Sequence, residues 1–219
     1  MNNIYIVIGS RGIVGSQITK RLRSLNKHVV TIAASEIVQR KKIDSLECFR
    51  SLANDSSITL AEKEIGLILA HRYREDNIQT VLLNELSITR DFVWGLANLC
   101  ASLRVVVLGS ITGRLIDRKL PEAYHYSKEL QKSIVRQSIR IGNLQMNLLE
   151  LYWFEKYTEE KATPEYKKTM SELRKQLGGD NLPSVESITD FSCALIEMHR
   201  PPRGQTIVYD GGLSGYQKE

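Results

Sequence analysis

Tyr124 and Lys128 stand four residues apart in the run Tyr124-His-Tyr-Ser-Lys128. On a helix that spacing puts a phenol and an ammonium on one face, one turn apart. A free tyrosine, with a reference pKa of about 10, is a poor acid or base at neutral pH. A lysine held beside it stabilises the phenolate, which suits the tyrosine to give a proton to a carbonyl oxygen during hydride transfer. Ser110 ends the apolar run Arg104-Val-Val-Val-Leu-Gly-Ser110, where its hydroxyl can bind the same oxygen. His125 and Tyr126 are neighbours without the helical spacing to Lys128, so they are the lesser candidates for the acid. Tyr-x-x-x-Lys is a common pattern in a chain with nine tyrosines. Its weight comes from its place, at the start of the helix that follows the Ser110 strand.

A second segment brings a different chemistry. Ile4-Tyr-Ile-Val-Ile8 leads directly into Gly9-Ser-Arg-Gly12-Ile-Val-Gly15. Glycines between a strand and a helix permit a tight turn, a close approach of backbone to a diphosphate, and close packing of helix on sheet. The amides of Gly9, Ser10, Arg11, Gly12, Ile13 and Gly15 would then meet a dinucleotide at the positive end of the helix. No Gly-Lys-Ser/Thr follows, so this is not a P-loop. The second strand ends in Ala33-Ala34-Ser35, with no acid before Glu36 to hold a ribose diol. Arg11 and Ser35 could instead meet an adenosine 2′-phosphate, for which a guanidinium fork is well shaped. NADP is favoured over NAD.

These residues need a scaffold that brings strand ends together. Ile4–Ile8, Val29–Ala33, Ile65–Ala70, Leu103–Leu108, Met146–Leu149 and Gln205–Tyr209 read as buried strands, with a weaker candidate at Leu46–Phe49 and a turn at Asn54-Asp-Ser-Ser57. Val14–Leu25, Ile78–Leu99, Tyr124–Ile141 and Ile188–Met198 read as helices, while Ser35–Lys42 reads as polar connection. Strand and helix thus alternate about seven times, the order of a parallel sheet covered on both faces. The polar stretch 152–183, with Tyr152, Trp153, Phe154 and Tyr157 near its start, reads as a helical insertion on the substrate side. The whole chain, 1–219, is expected to be a single domain.

Composition narrows the function classes. The formal charge of +5 is spread over predicted helices and interleaved with acids, and no zinc spacing or aromatic-basic alternation accompanies it. A nucleic-acid role is not expected. No apolar run approaches the ~18 residues of a membrane span, so neither a membrane role nor an export signal is expected, and the location is read as cytoplasmic. The three cysteines have no paired spacing and read as reduced thiols, and no metal site is expected.

On these residues the chain resembles the short-chain dehydrogenase/reductase family over nearly all of its length. The glycine turn, Ser110-Ile-Thr-Gly113, Tyr124 and Lys128 with Ser127 between them, and Gly204-Gln-Thr-Ile-Val-Tyr-Asp-Gly-Gly212 all match. The last match is long and specific. The resemblance implies a Rossmann-like, doubly wound parallel sheet in three αβα layers. It also implies an NADP(H)-dependent oxidoreductase acting between a carbonyl and an alcohol on a small molecule. In the family, Lys128 would also bond the nicotinamide ribose, Ala70 would line the adenine ribose, and helices 78–99 and 124–141 would build a homodimer or homotetramer. Three features depart from the family pattern. Leu69-Ala-His-Arg72 replaces Asn-Asn-Ala-Gly, and Leu151-Tyr152 replaces the Pro-Gly that follows Asn147. The helix asparagine aligns best with Ser87, with Asn84 one turn earlier. The alternative these departures raise is a weak or inactive dinucleotide-binding protein of the same fold.

Overall fold

The computed structural model describes residues 3–39, 60–72, 77–110, 122–151, 162–177 and 182–209. Six strands form one sheet: β1 Ile4–Ile8, β2 His28–Ile32, β3 Glu64–Leu69, β4 Ser102–Ser110, β5 Leu144–Leu151 and β6 Thr206–Tyr209. Their order is β2-β1-β3-β4-β5-β6 and every pairing is parallel. Continuous apolar runs such as Ile4–Ile8 and Val105–Leu108 lie inside that sheet because both of their faces are covered. The chain leaves β1 toward β2 on one side and returns to β3 on the other. The direction of winding therefore reverses between β1 and β3, and a crevice opens there beyond the strand ends.

The helices divide between the two faces. Helix α1 (Ile13–Ser24) packs Ile18 and Leu22 with Tyr5, Val7 and Ile68 on one face. Helix α7 (Val185–Glu197) adds Ile188, Leu195 and Ile196 to the same cluster and is capped by Ser184, whose side chain accepts from the Ser187 amide. The other face is covered by α2 (Ala34–Gln39), α3 (Ile78–Glu85), a π-helical segment (Leu86–Phe92), α4 (Val93–Ala97) and α5 (Glu122–Gln137). Ile37, Ile88, Phe92, Leu96, Ile134 and Val135 meet the opposite side chains of β1, β3, β4 and β5 there. This is the three-layer, doubly wound α/β architecture expected from the sequence.

Several boundaries differ from the sequence reading. The polar segment after β2 begins as a helix, because Ile37 reaches the core while Ser35 stays exposed. The segment read as one helix over 78–99 is interrupted by the π-helical segment. The 124–141 helix ends at Gln137 and tightens into a 3-10 turn, Ser138–Arg140. Within the 152–183 insertion, Pro164–Leu177 is helix α6, with Pro164 in its first turn and Thr163 Oγ1 accepting from the Tyr166 amide. The strand at Leu46–Phe49, the turn at 54–57, the four aromatics from Tyr152 to Tyr157, and the closing Asp210-Gly-Gly lie outside the described residues.

Candidate active site

Gly9 leaves β1 with φ +85°, a conformation that favours glycine. A Cβ there would lie 2.6 Å from the Ala70 carbonyl oxygen and 2.8 Å from the His71 nitrogen. At Gly15 a Cβ would sit 2.4 Å from the Gly9 oxygen and 3.2 Å from the Ala70 Cβ. Bare backbone at these two positions lets α1 start directly over the ends of β1 and β3. Gly9 N donates to Ile32 O of β2, and Ala70 N donates to Ile8 O, which ties the three strand ends to the turn. Gly12 caps α1 with no side-chain acceptor, and the first turn carries no acid. The first turn of α1 thus supplies no anion of its own to the helix's positive end, which fits a diphosphate. Arg11, Gly12 and Ile13 are exposed, Ser10 is half-buried, and Ser35 is exposed in the first turn of α2.

On the other side of the switch point, Ser110 closes β4 opposite Leu151 of β5. Tyr124 lies in the first turn of α5 and is half-buried, while Lys128, one turn on, is only 4% exposed. The Lys128 ammonium stands 5.5 Å from the centroid of the Tyr124 ring, and the Arg72 guanidinium stands 5.1 Å from it. The phenol ring therefore has two cations close to it. Arg72 occupies a place where the resemblance expects glycine. Tyr126 is exposed and its hydroxyl donates to Glu122 at 3.0 Å, which pushes its pKa up and removes it as a rival acid.

Lys128 Nζ donates to Gln131 Oε1 at 3.0 Å and to the Leu108 carbonyl at 3.4 Å. Gln131 Nε2 donates in turn to Glu85 Oε1 at 3.0 Å. The same oxygen accepts from Thr89 Oγ1 and lies 3.2 Å from His71 Nε2. All five side chains are buried. Burial pushes the Glu85 carboxyl upward, but the His71 charge and hydrogen bond, with Lys128 and Thr89 behind them, hold its pKa below the ordinary value. Glu85 is the residue the sequence reading missed. The helix position expected at Ser87 or Asn84 is taken inward by Glu85, while Ser87 Oγ donates back to Leu83 O of its own helix. An acid among Leu82, Leu83 and Leu86 was the available signal, since an unpaired carboxylate is costly on an apolar face.

Three-dimensional comparison identifies the fold. Neither a family model nor a curated protein sequence matches the chain. A 4-hydroxyisoleucine dehydrogenase complexed with NADH superposes with a TM-score of 0.71 at 19% identity, over 99% of this chain and 100% of that one. A 3-alpha-hydroxysteroid dehydrogenase from Pseudomonas sp. B-0831, also complexed with NADH, gives 0.66 at 16% identity over 99% and 100%. A short-chain dehydrogenase/reductase family oxidoreductase from Burkholderia thailandensis gives 0.64 at 13% over 98% and 94%. The chain has the short-chain dehydrogenase/reductase fold. Within that fold, the glycine turn follows β1, and the Tyr124–Lys128 pair lies on α5 beside the end of β4, with β3 between the two strands. Among the described residues no three His, Cys, Asp or Glu side chains are grouped to hold a metal ion. No helix among them is long and apolar enough to cross a membrane.

Proposed function

We propose that this protein is a nicotinamide-dinucleotide oxidoreductase that interconverts a carbonyl and an alcohol on a small molecule. The carrying observation is the buried Lys128 ammonium 5.5 Å from the Tyr124 ring, one turn along α5. A buried cation beside a half-buried phenol is costly to maintain without a task. Gly9, Ser10, Gly12, Ile13 and Gly15 would hold the dinucleotide's diphosphate, with Ala70 behind them at the adenine ribose. Arg11 and Ser35 are the groups that favour NADP over NAD. The dinucleotide, when bound, supplies or accepts the hydride. Tyr124 then gives or takes the proton at the substrate oxygen, Ser110 hydrogen-bonds that oxygen, and Lys128 holds positive charge beside the phenol and reaches the ribose. A homodimer or homotetramer built on α3–α5, in the cytoplasm, is the assembly this reading carries.

Titration with NADPH and NADH separately, followed by nicotinamide fluorescence, tests it. Saturable binding of NADPH, tighter than NADH, is expected. Failure to bind either removes the reading, and tighter NADH reverses only the choice of dinucleotide. Tyr124→Phe should then abolish turnover of any substrate found while leaving dinucleotide affinity within about twofold, because only the proton path is lost. Binding with no carbonyl or alcohol turned over would favour the alternative, a dinucleotide-binding protein that has lost catalysis.

A further inference from the structure

We propose that Glu85 is a positioning residue for Lys128 and acts through the amide of Gln131. The part of this that concerns dinucleotide binding rests on the function proposed above. The three groups form a line in which each has only one way to face. A carboxylate only accepts hydrogen bonds and an ammonium only donates them. Gln131, between the two, must turn its NH2 to Glu85 and its carbonyl to Lys128, as the 3.0 Å bonds on either side show. Turned the other way, it would set carbonyl against carboxylate and NH2 against ammonium. The charge on Glu85 therefore decides the orientation of Gln131, and Gln131 gives the buried ammonium its closer acceptor.

The carboxylate is itself fixed from two directions. Thr89 donates to it from the next turn, and His71 meets it from the end of β3. Glu85 is the last residue before the π-helical segment, and Thr89 lies inside that segment. Wide turns of this kind are rare and gather at functional sites. His71 follows Ala70, and its nitrogen is one of the atoms that a Cβ at Gly9 would strike. A continuous buried strut thus runs from the glycine turn through His71, Glu85 and Gln131 to Lys128. It ties the group that would reach the ribose to the turn that would hold the diphosphate.

A double-mutant cycle tests the assignment, with NADPH affinity and urea unfolding as its two readouts. Glu85→Gln removes the charge at constant shape and is expected to weaken NADPH binding about tenfold. Gln131→Met cuts the line while leaving Glu85 charged, and it is expected to do the same; it carries the test alone if Glu85→Gln does not fold. In a Lys128→Met background neither substitution should change affinity by more than about twofold. A purely structural role predicts the opposite, equal losses with and without Lys128, and that result overturns the proposal. If the wild-type protein binds neither dinucleotide, the proposed function falls, and unfolding decides the link by itself. An unfolding constant for Glu85→Gln/Lys128→Met about fivefold or more from the product of the single effects upholds it, and a simple product overturns it.

Discussion

The two faces of the sheet bury charge in opposite ways. On the α1 and α7 face the described interior holds apolar and neutral polar side chains, and ionic groups stay at the rim. Arg21 pairs with Asp190 at 3.0 Å with both side chains about half exposed, and Lys27 pairs with Glu197 at 2.7 Å near the same edge. On the α3–α5 face, ions lie beneath the surface. Glu85 and Glu150 are 0% exposed, and Lys128 and Lys132 are 4% and 8% exposed. The first arrangement is what folding alone selects, since a rim pair keeps its hydration. The second carries a desolvation cost that folding does not require, and it surrounds the helix bearing Tyr124. Buried charge marks the working face.

Lys132→Met should break that contrast hardest. Lys132 Nζ lies 2.8 Å from Glu150 Oε1 of β5, and its other partner, Glu129, is largely exposed. Removing the lysine takes a cation away from a carboxylate in the core, a loss of about 3–5 kcal/mol by urea unfolding. Lys132→Met/Glu150→Leu should recover most of it, because an apolar pair of similar volume carries no desolvation cost. A double variant as unstable as the single one would show that the pair does not act as a unit. Gly9→Ala comes next, at about 2–4 kcal/mol, from a positive φ together with backbone atoms that cannot withdraw. It should also abolish dinucleotide binding. Unchanged stability would mean that the turn can open.

How much of this was legible beforehand follows from what each part depends on. The glycine turn is a property of backbone, so Gly9, Gly12 and Gly15 announce it by residue type and spacing. The strands announce themselves by unbroken apolar runs, and the Tyr124–Lys128 relation by helical period. The partners of Lys128 are another matter. Glu85, His71 and Gln131 come from α3, the end of β3 and α5, and only the sheet order brings them together. Alignment to the family's helix asparagine pointed to Ser87 or Asn84. The inward position is set by the rotation of α3 ahead of a π-helical segment, and no periodicity rule of 3.6 residues anticipates that segment. Helix α2 was missed for a simpler reason: six residues with one fully buried side chain, Ile37, beside the partly buried Ala34 and Val38, give too little pattern to read.

The acid limb of stability sharpens the contrast between the faces. Glu85 and Glu197 both have folded pKa values below the ordinary 4.5. For Glu197, burial raises the value, and the hydrogen bonds from Lys27 and Tyr5 lower it further than burial raises it. Below 4.5 the unfolded chain takes up these protons first. The stability each pairing contributes is therefore complete above that value and is lost as pH falls through the lowered one. Glu85→Gln and Glu197→Gln should each flatten the loss between pH 4.5 and lower values. Added salt should shrink the Glu197 contribution and leave that of Glu85 nearly unchanged, because ions screen a rim pair and do not reach a buried one. Equal salt sensitivity at the two sites would count against the buried assignment.

The smallest effect expected is at Arg21, and its smallness is the informative part. Its partner Asp190 is as exposed as Arg21 itself, so the pair keeps most of its hydration and gains little from contact. Arg21→Met should cost less than about 1 kcal/mol, and less still at high salt. On α1, Ile18 and Leu22 carry the packing against Tyr5 and Val7. Dinucleotide affinity should stay within about twofold, since Arg21 lies in the last turn of α1, at the end away from the glycine turn. A loss as large as that at Lys132 would erase the distinction between the faces, because an exposed pair would then be doing what only a buried one is physically placed to do. Measured in one urea series, the two lysine-to-methionine and arginine-to-methionine changes compare the same kind of pair at two depths, and depth alone should separate them by several-fold in free energy.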